Sequence, residues 1–124
     1  VTSVEVSLKT LLTEAEGALG AAVVDYTSGM ALGTLGGGKH LDLNVAAAGN
    51  TDLIRAKVRT MELLGLKSEI EDILVTLGTQ YHLIRPVTGR SGNGLFIYLV
   101  IDKARSNLAM ARHLLRRTEE QLEV

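Results

Sequence analysis

Leu95-Phe96-Ile97-Tyr98-Leu99-Val100-Ile101 is an unbroken apolar run of strand length, bounded by Gly94 and Asp102. Successive side chains of a strand point to opposite faces, so a run with no polar residue on either face needs cover on both sides. This one segment predicts helices above and below a sheet, a three-layer α/β/α sandwich with the segment as its central strand. It is also the longest apolar run in the chain, far short of the ~20 residues that cross a bilayer as a helix.

Outward from this strand the pattern stays regular. Thr88-Gly89-Arg90-Ser91-Gly92-Asn93-Gly94 reads as a polar hairpin loop. Before it, Gln80 to Val87 alternates Tyr81, Leu83 and Arg85 with Gln80, His82 and Ile84, giving a strand. Ile70 to Leu77 is a further strand, with Gly78-Thr79 as its turn. On the other side, Asp102 is expected to cap a last helix whose inner face carries Asn107, Leu108, Ala111, Leu115, Thr118 and Leu122.

The first half supplies the rest. Thr2 and Glu5 have capping-box spacing ahead of Val4, Leu8, Leu11, Leu12 and Ala15, which predicts a helix over residues 3–16 ended by Gly17. Leu19–Tyr26 and Met30–Leu35 are strands joined through Thr27-Ser28-Gly29, hence a hairpin. Gly36-Gly37-Gly38 ends the second strand, and a long helix is predicted from Leu41 to about Leu64. Leu43, Ala47, Ile54, Val58 and Met61 share one face of it. Ala46, Leu53 and Leu64 make a second apolar stripe roughly 90° away, while Asn44, Thr51, Asp52, Arg55, Arg59 and Glu62 take the remaining side. The order is helix, two strands, long helix, three strands, helix. That is a single α/β domain of the α+β type over residues 1–124, with a five-stranded, mainly antiparallel sheet.

Composition narrows the function. The 124 residues are 46% hydrophobic, enough for one compact core. A net charge of −1 gives no bulk attraction to nucleic acid or anionic lipid, and 3% aromatic content argues against a base-stacking platform. The absence of cysteine removes disulfides, thiolate metal sites and cysteine nucleophiles. The first residues, Val1-Thr2-Ser3-Val4-Glu5, show no signal-peptide pattern, so a cytoplasmic location without membrane insertion is expected.

One stretch imitates catalytic chemistry. Gly33-Thr34-Leu35-Gly36-Gly37-Gly38-Lys39-His40 nearly matches a phosphate-binding loop, but His40 stands where a Ser or Thr hydroxyl should meet Mg²⁺. Imidazole is a poor magnesium ligand, and the strands before it form a hairpin instead of a parallel crossover. His40, His82 and His113 are scattered, with no carboxylate cluster to complete a metal site, and no Gly-x-Ser-x-Gly elbow is present. No catalytic, cofactor or metal site is expected. Arg105, Arg112 and Arg116 are expected on one solvated face of the last helix, with Glu119 and Glu120 compensating locally.

The element order and texture resemble the Roadblock / dynein-light-chain-7 family. The likeness is carried by Gly20-Ala21-Ala22-Val23-Val24-Asp25 leading to Ser28-Gly29, and by Ala46-Ala47-Ala48 in the long helix. Ile73-Leu74-Val75-Thr76-Leu77-Gly78 turning into Tyr81-His82-Leu83-Ile84-Arg85 continues it, and the final apolar strand and helix complete it. The resemblance covers nearly the whole chain; bacterial and archaeal relatives are often stand-alone domains of this size. It implies a homodimer, or a heterodimer with a second Roadblock-like chain. The two sheets would join through the third strand and the long helices would pack together. It also implies a Ras-like small GTPase as partner, with hydrolysis stimulated in some members.

The residues support self-association separately. An edge strand Ile73-Leu74-Val75-Thr76-Leu77 without lysine or proline invites pairing, restrained at one end by Glu69, Glu71 and Asp72. The stripe Ala46, Leu53 and Leu64 needs cover as well. The expected dimer interface is therefore Ala46, Leu53, Leu64, Ile73, Val75 and Leu77, with Asn50 bonding across the seam or to its own backbone. The expected partner patch is Asn44, Thr51, Asp52, Arg55 and Arg59, where arginine's planar fork suits interface centres. The expected role is a regulatory adaptor, not an enzyme. The alternatives are a small-molecule sensor with a pocket between sheet and helix, and a nucleotide-binding enzyme using the Gly33–Lys39 turn.

Overall fold

The computed structural model describes residues 3–88 and 94–123. Its elements are α1 (Val4–Glu14), β1 (Ala18–Asp25), β2 (Met30–Gly36), α2 (Leu43–Leu64), β3 (Ile73–Thr76), β4 (Gln80–Val87), β5 (Leu95–Asp102) and α3 (Leu108–Gln121). The strands form one sheet in the order β2-β1-β5-β4-β3, and every neighbouring pair is antiparallel.

β5 is the central strand, as its two apolar faces require. Leu95, Ile97, Leu99 and Ile101 join Leu8 and Leu11 of α1 and Ala111, Leu114 and Leu115 of α3 in one core. Phe96, Tyr98 and Val100 turn the other way, into a core with Leu43, Ala47 and Ile54 of α2. The layers are therefore α1 and α3 on one face of the sheet and α2 alone on the other. Each fully buried Leu, Ile or Phe in these cores contributes roughly 1.5–3 kcal/mol.

Three local expectations are corrected. Ser3, not Thr2, caps α1, its Oγ accepting from Val6 N at 3.3 Å; Thr2 lies outside the described residues. Asp102 does not cap the last helix. Its carboxylate accepts from Ala104 N and holds Arg105, closing a turn after β5, and Asn107 caps α3 by accepting from Met110 N at 3.0 Å. Asn107 is thus a cap and not part of the inner face, which is Ala111, Leu114, Leu115, Thr118 and Leu122. The third strand is shorter than expected, Ile73–Thr76, so Ile70–Asp72 and Leu77 flank it without joining it. The loop expected over Thr88–Gly94 falls largely at 89–93, outside the described residues.

α2 has clean ends. Asp42 Oδ1 accepts from Asn44 N and Val45 N at 3.0 and 3.2 Å. At the other end Gly65 takes a left-handed conformation (φ 70°) that only glycine adopts freely, with Leu66 N donating to Met61 O at 2.9 Å.

Candidate partner-binding surface

α2 rides over β1 and β2, the side of the sheet where Ala22, Val24 and Ala31 meet it. Its two flanks face different surroundings. On one, Arg55 Nη2 donates to Thr27 O at 2.7 Å, tying the helix to the β1–β2 turn. That turn is held by Asp25, whose carboxylate accepts from the Thr27 hydroxyl at 2.6 Å and amide at 2.8 Å, bonds that keep its pKa below the usual carboxylate value. On the other flank the Asn50 amide nitrogen is buried near the Tyr98 hydroxyl without a well-formed hydrogen bond. This second flank, with Ala46 and Leu53, looks toward β5, β4 and β3.

Among the described residues no second helix covers that part of the sheet. Gln80, His82, Ile73 and Val75 are only half-buried there. Ile73 lies opposite Ile84 and Val75 opposite His82, so both edge-strand residues share the α2 side, whereas Leu74 belongs to the opposite core. A short polar chain crosses this surface. The Tyr98 hydroxyl and His82 Nδ1 are 2.7 Å apart, and His82 Nε2 and Gln80 Oε1 are 2.8 Å apart. A neutral ring donating from Nε2 and accepting from Tyr98 satisfies both bonds. Burial supports that state by pushing the imidazole pKa down, and it pushes the phenol up.

The outward side of α2 is apolar and narrow. Val45, Leu63 and Leu64 are 69%, 81% and 66% exposed. Ala46, Leu53 and Thr60 recur every seven residues, as do Gly49, Ala56 and Leu63, the spacing that paired helices use. The small side chains at Ala46, Gly49 and Ala56 let a second helix approach closely. This spacing extends the stripe Ala46, Leu53 and Leu64 expected from the sequence to Gly49, Ala56, Thr60 and Leu63.

The expected partner patch comes together with one exception. Asn44, Asp52, Arg55 and Arg59 are exposed on α2. Thr51 is 1% exposed, facing the sheet one turn from Ile54, and its hydroxyl donates to Ala47 O at 2.7 Å. That internal bond lets a polar residue sit in the core, and Thr51 leaves the patch. Of the expected dimer residues, Leu53 and Leu77 are 39% and 44% exposed, and Ala46, Ile73 and Val75 are half-buried.

Of the arginines expected on one solvated face of the last helix, Arg116 is exposed as expected and the other two are placed differently. Arg105 precedes α3 and pairs with Asp102 at 3.0 Å. Arg112 reaches Asp72 through two bonds of 3.0 and 3.2 Å, fastening the segment before β3 to α3. Glu119 turns to the sheet, bonding Arg85 at 2.6 Å and the Thr88 amide and hydroxyl at 3.0 and 2.9 Å. Burial alone would raise its pKa; the Thr88 amide, Arg85 and the Thr88 hydroxyl outweigh that and hold it low.

The glycine run does not have phosphate-loop geometry. Gly33 to Gly36 lie within the antiparallel strand β2, and Gly37 and Gly38 form a turn closed onto Leu41. The α2 amides that would face an anion are occupied by Asp42. Among the described residues no group of three or more His, Asp or Glu side chains could hold a metal ion, and His40 and His113 are exposed. A crevice of about 270 Å³ does lie between α2 and the sheet, lined by Tyr26, Ile54, Val58, Met61 and Pro86, with Glu62 and Glu69. No helix among the described residues is long and apolar enough to cross a membrane.

These features define a class: a three-layer antiparallel domain whose single-helix face is left open beside an edge strand. The fold is that of Roadblock/LC7 domains. A Roadblock/LC7 domain from Streptomyces avermitilis superimposes with a TM-score of 0.79 at 12% identity, covering 96% of this chain and 93% of the other. Myxococcus xanthus MglB gives 0.82 at 15% identity, covering 94% and 82%. MglC from the same organism gives 0.61 at 22% identity, covering 94% and 93%. No protein-family model matches the chain, and no curated protein matches it in sequence.

Proposed function

We propose that this chain is a regulatory adaptor that pairs with a second Roadblock-like chain, its own copy included, and binds a Ras-like small GTPase on the long-helix side. The observation that carries the reading is the uncovered face. Among the described residues α2 is the one helix on its face, and it rides over β1 and β2, so its outward apolar side and the half-buried Ile73 and Val75 of the distant β3 edge are both left without cover. A twofold pairing of β3 with β3 and α2 with α2 covers both at once. A structural neighbour described as MglB with a tetrameric arrangement, at a TM-score of 0.79 and 18% identity, supports association between such domains.

The GTPase surface is assigned to Asn44, Asp52, Arg55 and Arg59, on the flank of α2 away from that seam. The bound GTPase supplies the nucleotide chemistry, and this chain supplies geometry. The test is calorimetric titration of the purified protein with Ras-like GTPases encoded by the source genome, each loaded with GDP or a non-hydrolysable GTP analogue. One should bind, and Asp52→Lys with Arg59→Glu should abolish binding while the circular dichroism stays unchanged. Arg55 is spared because its bond to Thr27 also holds the hairpin. Undiminished binding by the double variant moves the site off α2, and no binding by any GTPase rejects the partner class.

A second reading, a small-molecule sensor, is favoured only by the 270 Å³ crevice under α2, just below the usual range of ligand-pocket sizes. Filling it with Val58→Phe should leave GTPase binding intact if the adaptor reading holds.

A further inference from the structure

We infer that the free β2 edge, with the α1 segment above it, is a second self-association surface, on which the β2 edge of another copy of this chain pairs antiparallel. β2 ends the sheet on the side opposite β3. Met30 to Gly36 contains no charged residue and no proline, and Met30, Leu32 and Leu35 are 69%, 48% and 38% exposed. Such an edge lacks the usual charges that prevent pairing. Its outward groups follow from alternation. Gly37 N donates to Leu19 O, and Leu35 and Gly33 stand opposite Ala21 and Val23, so Thr34 turns its amide and carbonyl away from β1.

The occupant is identified by charge. α1 lies over this edge and forms with it a groove of about 430 Å³, whose apolar walls include Val4, Leu8, Leu32 and Leu35 and whose charged residues are Glu5 and Lys9. A Cβ on Gly33 would stand 2.7 Å from Val4 and 3.3 Å from Leu8, so the first turns of α1 sit directly above the middle of the strand. With Val4 and Leu8 over Gly33 and Leu12 over Gly36, α1 runs along β2, and a twofold axis through Thr34 passes the Glu5 and Lys9 side of its first turns. Across it the two α1 helices run antiparallel, and Glu5 of each copy meets Lys9 of the other. Strand spacing of ~4.8 Å brings helices seated over β1 and β2 to the ordinary 8–10 Å separation of packed helices. The strand itself contributes no charge that would oppose the pairing. The bulge where β2 shifts register against Val23 and Val24 keeps the ladder short and the association weak. This surface is separate from the β3 seam and does not depend on it.

The experiment is sedimentation velocity of the full chain across a concentration series, with circular dichroism to verify folding. Growth beyond the β3-linked species is expected as concentration rises. Glu5→Lys and Lys9→Glu should each weaken that growth roughly tenfold, since both symmetric pairs become repulsive. The double variant Glu5→Lys with Lys9→Glu should restore it. Thr34→Pro should remove it, with Leu32→Lys as the backbone-neutral substitute. Val75→Lys, which breaks only the β3 seam, should leave growth through β2 in place. Absence of concentration-dependent growth in the unaltered chain overturns the inference, as does growth indifferent to the single charge reversals or not restored by the double one.

Discussion

The two faces of the sheet solve the same packing problem with different completeness. Under α1 and α3, alternate residues of β1, β4 and β5 are sealed by two helices, and the rim is closed by Arg85–Glu119 and Arg112–Asp72 pairs. Under α2 a single helix seals β1 and β5, while β4 and β3 keep half-buried apolar and polar groups at the surface. Both faces draw on the same strands, so the contrast arises from helix count and not from strand composition. Both faces bury a core, and only the α2 face, the side proposed for association, keeps half-buried groups along β4 and β3.

The largest expected effect lies on the finished face. Leu115, 0% exposed, should cost ~2–5 kcal/mol on truncation to alanine, read by urea denaturation. A loss within experimental error would erase the contrast. Next, Glu119→Gln should cost ~1–2 kcal/mol, because one carboxylate serves Arg85 and Thr88 together. Its pKa is lowered by folding, so its contribution is present above the unfolded carboxylate value and fades as pH falls through the lower folded one. The variant should flatten that acid limb of the stability profile.

On the unfinished face the effects on the single chain are smaller. Folding lowers the His82 pKa, so stability is complete above the unfolded value and declines as pH drops through it toward the folded one. His82→Gln should remove that slope, checked by thermal melts between neutral and mildly acidic pH. An unchanged slope assigns it to another group. Smallest of all, Leu63→Gln should alter single-chain stability by no more than ~0.5 kcal/mol, since Leu63 is 81% exposed and loses little contact with its own chain. A loss comparable to that of Leu115→Ala would mean that α2 is already packed on that side.

The sequence made the fold readable because β5 has no polar face: a strand apolar throughout admits only a two-sided cover, and the layer count follows. The long helix was equally plain from its period. Ends and partners were less legible. Asp102 and Asn107 are both good caps, and only the turn that Asp102 closes onto Ala104 and Arg105 decides between them. Thr51 looked like surface by residue type, although its angular position beside Ile54 placed it inward and its own backbone satisfies the hydroxyl. The Arg112–Asp72 and Arg85–Glu119 pairs join residues far apart in sequence, so no local spacing announces them. The dimer residues proposed on β3 rest on the lack of protective charge along that edge.

Static light scattering on the unaltered chain and on Val75→Lys, at the lowest measurable concentration, reads the number of copies directly. The unaltered protein is predicted at twice the chain mass of 13.3 kDa and the variant, still folded, at 13.3 kDa. A well-folded 13.3 kDa species from the unaltered chain, or a variant that keeps the doubled mass, would show that the α2 side does not require a second subunit along β3.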